Sequence, residues 1–170
     1  MKTFIKLIIF VAITICAFNQ STYAEEKIKI GLIVPLSGDN FLIGEKIIKS
    51  IRMAINKIND EKIEIIPRDT KSNPIDTLKV SKDLYQEGVR IIIGPVFNES
   101  TKYLDELKEV TFISFTNKLI DNPKNVISAG VNAISQLQTI KKFNNKNNLT
   151  KSIFLIPRSE FKKEIEIAIN

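Results

Sequence analysis

The sequence predicts an α/β fold built on a doubly wound parallel sheet, and three observations carry that expectation. After residue 26, short β-rich apolar runs alternate with longer stretches of helical spacing, the pattern of successive βαβ units. The strand runs are continuously apolar, as in Leu32-Ile33-Val34 and Ile91-Ile92-Ile93, which suits strands covered by helices on both faces. Setting the first 24 residues aside leaves 146 of 170, enough for one well-buried domain and too few for two.

Those 24 residues read as a secretory signal peptide. Lys2 and Lys6 give a basic start, Leu7 to Phe18 an apolar stretch broken only by Thr14, and Thr22-Tyr23-Ala24 a small-residue cleavage site ahead of Glu25. The apolar stretch is 12 residues long, short of the roughly 20 a spanning helix needs. Cys16 follows Ile15 rather than a small residue, so lipid anchoring at this cysteine is not favoured. It is the only cysteine, and the exported chain therefore has no disulfide and no thiolate chemistry.

The strands expected from the sequence are residues 27–34, 62–67, 89–94, 111–115 and 126–129, with 152–156 as a sixth. Between the first two, Ile43, Ile47, Ile48, Ile51, Ala54, Ile55 and Ile58 recur at three- and four-residue steps and share a helix face. The second helix carries punctuation at both ends. Asn73 can cap it, Pro74 suits its first turn, and Gly88 can stop it. A third helix is expected over 99–108 with Tyr103, Leu104 and Leu107 inward and Asn98 as cap. A fourth spans 133–143, with Ile134, Leu137 and Ile140 inward and Asn132 as cap. A last one covers 160–169, with Phe161, Ile165 and Ile169 on one face.

Charge and composition exclude several function classes. Without the signal the chain has 23 basic and 19 acidic residues, a net of +4, and its lysines are scattered rather than interleaved with aromatics. A nucleic-acid surface is not indicated. With no histidine and no cysteine beyond the signal, the commonest general base, the usual nucleophile pairs and most zinc sites are absent. The sequence thus implies no catalytic residues, no metal site and no cofactor, and the loop 35–44 matches neither a P-loop nor a dinucleotide fingerprint.

In an open parallel sheet, ligands bind beyond the carboxyl ends of the strands. The loops that leave those ends are Pro35 to Asn40, Gly94 to Asn98, and Thr116 to Lys118. They offer hydroxyls, amides and exposed backbone donors suited to a small polar ligand. The candidate ligand-binding residues are Ser37, Gly38, Pro95, Val96, Phe97, Asn98, Thr116 and Asn117. Asp69 reads as a strand-end residue.

The run Ile30-Gly31-Leu32-Ile33-Val34-Pro35-Leu36-Ser37-Gly38 resembles the opening of type I periplasmic binding proteins, above all the leucine/isoleucine/valine-binding group. Asp69-Thr70, Gly88 to Pro95 and Phe112 to Phe115 follow in the order of that superfamily's strands, so the likeness covers residues 27–157. Gly94-Pro95-Val96-Phe97 and Phe115-Thr116-Asn117 look closer to its penicillin-binding protein activator branch. The resemblance implies a non-enzymatic periplasmic receptor with two lobes closing on a ligand. Residues 25–148 would be the N-terminal lobe, and 149–170 the first strand and helix of a truncated second lobe. It implies as partner either a peptidoglycan synthase or the membrane component of an ABC transporter. A small polar or amino-acid-like ligand is implied only where a second lobe is present. Amino-acid-binding members usually hold the ligand with serine and threonine hydroxyls, where this chain has Asn98 and, near the threonine, Lys118.

Overall fold

The computed structural model describes residues 27–118, 122–153, 155 and 162–169. Five parallel strands lie in the order β2-β1-β3-β4-β5: β1 (Ile28–Val34), β2 (Ile63–Asp69), β3 (Ile91–Ile93), β4 (Thr111–Ser114) and β5 (Val126–Ser128). Helix α1 (Phe41–Ile58) joins β1 to β2, and α2 (Pro74–Gln86) joins β2 to β3. Helices α3 (Ala133–Lys146) and α4 (Lys162–Ile169) follow the sheet and pack on each other. The signal peptide reading lies outside the described residues.

Strand order and handedness together decide how the two sheet faces are covered. A parallel crossover is right-handed in nearly every case. The step from β1 to β2 runs one way across the sheet, and the steps from β2 to β3, β4 and β5 run the other way. Right-handed connections therefore put α1 alone on one face and every later connection on the opposite face. On that opposite face Ile33, Ile92, Phe112 and Val126 form the core with Leu84 and Val89 from α2 and its exit, and with Leu104, Leu107 and Val110. The α1 face is also apolar, but only Leu32 and Val34 are buried there, while Ile30, Ile93 and Ile113 are half-buried.

Helix α1 has the expected periodicity, yet it sits loosely. Ile47, Ile48, Ile51 and Ile55 are half-buried, Ile43 and Ile58 are exposed, and a crevice of about 300 Å³ opens between Ile48, Ile51 and Ile55 and the β2 residues Ile63, Ile65 and Pro67. It comes close to the preceding loop at Gly44, where a Cβ would stand 1.8 Å from the Pro35 carbonyl oxygen. Helix α2 follows its punctuation: Asn73 Oδ1 accepts from the Ile75 and Asp76 N–H groups, and Pro74 opens the helix. The Asn132 side chain caps α3 through the Ser135 N–H.

Two expected elements are corrected. The helix over 99–108 is replaced by two 3₁₀ turns, Asn98–Thr101 and Leu104–Glu106. The Thr101 hydroxyl donates to the Asn98 carbonyl, and Asn98 does not cap. The Asn125 amide donates to the carbonyls of Leu104, Leu107 and Val110, taking acceptors that a continuing α-helix would have used. Leu104 and Leu107 still face the core. The sixth strand also fails, since Ser152, Ile153 and Leu155 are not in a strand and the last two are 92% and 94% exposed. Phe154 and Ile156 lie outside the described residues. An extended segment becomes a strand only by pairing with a neighbour, and these residues have none in the described sheet.

Candidate functional site

The loops that leave β1, β3 and β4 lie at the carboxyl edge of the sheet, and backbone and hydroxyl contacts tie the last two to each other. Gly94 leaves β3 at φ +109°, and a Cβ there would lie 2.1 Å from the Ile33 carbonyl oxygen, so only glycine admits this approach. The Gly94-Pro95 peptide is cis. The Pro95 carbonyl accepts from the Ser114 hydroxyl at 2.8 Å and from the Phe115 N–H at 3.0 Å. Ser114 Oγ in turn accepts from the Thr116 N–H at 3.2 Å, and Thr116 Oγ1 from the Lys118 N–H at 3.2 Å. The loops after β3 and β4 are thus one unit.

The sequence-derived site residues divide by exposure. Ser37, Gly38 and Asn117 are exposed at the rim, and Val96, Phe97 and Asn98 are half-buried beside it. Pro95 and Thr116 are buried, and their polar atoms serve the loops themselves. Leu36, Phe41 and Phe115 add exposed apolar surface at the same edge.

Asp69 is the residue that sequence reading undervalued. Its Oδ1 accepts from the Leu36 N–H at 2.8 Å and the Lys71 N–H at 2.9 Å, and its Oδ2 accepts from the Ser37 hydroxyl at 2.5 Å. The loop after β2 is thereby pinned to the loop after β1, and Asn40 Nδ2 adds a bond to Ser72 Oγ at 3.1 Å. Partial burial pushes the Asp69 carboxyl up, but the Ser37 hydroxyl and the backbone N–H groups of Leu36, Lys71 and Ser37 outweigh it and hold the carboxyl below its ordinary value. Hydrogen bonds donated to the charged form have this effect. The sequence signal was an aspartate closing a strand and followed by the turn residues Lys71-Ser72-Asn73, with nothing to name its partners about 30 positions earlier.

Among the described residues no group of three or more His, Cys, Asp or Glu side chains could hold a metal ion, and no helix is long and apolar enough to cross a membrane. Parallel sheet, connection order and rim loops can now be set beside known proteins. Residues 27–166 match the sequence family described as periplasmic binding protein. The chain belongs to that family. It is 31% identical over 86 residues to Leu/Ile/Val-binding protein homolog 1 of Brucella abortus (strain 2308), covering 47% of this chain and 23% of that protein. The chain thus spans about a quarter of the curated relatives it matches.

Solved structures agree on the fold. The C-domain of LpoA from Haemophilus influenzae, a regulator of PBP1A, superposes with a TM-score of 0.68 at 16% identity, covering 84% of this chain and 45% of that one. An ABC-transporter solute-binding protein from Rhodopseudomonas palustris BisB5, in complex with 3,4-dihydroxybenzoic acid, superposes with a TM-score of 0.59 at 24% identity over 72% of this chain and 37% of its own. The fold class and superfamily expected from the sequence are borne out.

Proposed function

We propose that the chain is the first lobe of an exported, non-enzymatic periplasmic binding protein that regulates cell-envelope synthesis by contacting a peptidoglycan synthase. Residues 25–148 form that lobe, and 149–170 begin a second. The observation that carries this reading is the state of the hydroxyls at the rim. Ser37 is spent on Asp69, Ser114 on Pro95, and Thr101 on Asn98, while Thr116 is buried. Three of these four hydroxyls have their protons committed and the fourth is buried, and the exposed surface beside them is Leu36, Phe41 and Phe115. Apolar and aromatic rims of this kind suit a protein surface. The fold likeness to LpoA, a regulator of PBP1A, agrees with this reading. The test is capture of a purified bifunctional peptidoglycan synthase by the signal-free chain without added solute. Capture supports the reading, and its absence at micromolar concentrations sinks it.

A second reading has its own support. The 31% identity to a Leu/Ile/Val-binding protein homolog favours the solute-binding component of an ABC transporter. Leucine, isoleucine or valine raising the melting temperature of the chain would favour it.

A further inference from the structure

Helix α1 stands off the sheet it covers, and the gap beneath it has the make-up of a small-molecule site. Gly44 holds the start of the helix against the Pro35 carbonyl. Further along, the inward isoleucines are only half-buried, and about 300 Å³ opens between them and β2. Sites for small molecules start at roughly this volume and are mostly apolar, with a few placed polar groups. The walls here are aliphatic, with Ile48, Ile51 and Ile55 facing Ile63 and Ile65. Two polar side chains line the same gap, Arg52 and Asn56, one turn apart on α1. Among the described residues neither side chain forms a hydrogen bond or an ion pair, whereas Glu45 of the same helix pairs with Lys49 at 3.1 Å. No carboxylate lines the gap.

An unpaired guanidinium at the border of an aliphatic slot is complementary to an apolar chain that ends in an anion. The guanidinium fork matches the two oxygens of a carboxylate, and the Asn56 amide can donate to the same group. We propose that the slot between α1 and β2 binds a medium-chain aliphatic monocarboxylate, its chain against the isoleucines and its carboxylate on Arg52. The net positive charge of the chain favours the same sign of ligand. This site is separate from the envelope reading and does not depend on it, because none of the rim residues lines the slot.

The test is a titration of the signal-free chain at neutral pH with octanoate, butyrate and octylammonium, each kept below micelle formation, following the ¹H–¹³C methyl signals of the slot isoleucines. Each buried methylene is worth roughly fourfold in affinity. In a slot open along one side, octanoate should therefore bind at least on the order of tenfold more tightly than butyrate. Octylammonium has the same chain and the opposite charge, and should bind on the order of fivefold more weakly than octanoate, the scale of an exposed ion pair. R52Q keeps an exposed polar side chain and removes the charge. It should bring octanoate down to the level of octylammonium while the preference for the longer chain persists. Octanoate no tighter than butyrate in the native chain overturns the proposal, because the slot then takes no chain. Octylammonium equal to octanoate, or octanoate affinity unchanged in R52Q, overturns it equally, because Arg52 then recognises nothing.

Discussion

On one face of the sheet Ile33, Ile92 and Phe112 are fully buried beneath α2 and the two 3₁₀ turns, whereas on the other Ile91 and Ile127 remain 43% and 55% exposed. Ile91 and Ile92 are consecutive residues of one strand, so composition cannot explain the difference. Alternation sends them to opposite faces, and the sheet order sends three connections over one face and one over the other. Coverage therefore follows from topology. A run such as Ile91-Ile92-Ile93 announces a strand that is apolar on both sides, without saying whether both sides are covered within these residues.

The contrast can be broken by substitution. Phe112→Ala on the sealed face should cost about 3–5 kcal/mol of unfolding free energy by denaturant titration. Ile127→Thr on the open face should cost under about 0.5 kcal/mol, as surface changes usually do. A loss at Ile127 comparable to that at Phe112 would mean that the open face is covered in solution. The smallest effect concerns the rim. Because Asp69 titrates below the ordinary 3.8 when folded, the stability it adds is complete above that value and is lost as pH falls through its folded pKa. The stability difference between the native chain and D69N should be largest at neutral pH and shrink towards pH 3 in acid-titration melts. A difference that stays constant with pH would separate Asp69 from that linkage.

Where the sequence was legible, the governing signals were local. Helix α1 follows from isoleucines at three- and four-residue steps, α2 from Asn73 and Pro74 at its start, and the strands from apolar runs. The errors share a different origin. The two 3₁₀ turns depend on Asn125, which reaches carbonyls up to 21 positions away, and the expected strand at 152–156 lacks a neighbour that no local pattern supplies. The rim shows the same division. The positions of Ser37, Gly38, Val96, Phe97, Asn98 and Asn117 in strand-end loops are legible from the sequence, whereas the contacts of Asp69 are not, because they are defined by residues 32 and 33 positions earlier.

The close backbone approaches at Gly44 and Gly94 have a mechanical meaning. Gly44 sets α1 against the Pro35 carbonyl of the loop after β1, and Gly94 sets the start of the loop after β3 against the Ile33 carbonyl of β1, each at a distance that excludes even a methyl group, so both loops are braced on regular elements. The carboxyl edge is accordingly a stiff platform, and any docking event there must bring its adaptability from the other side.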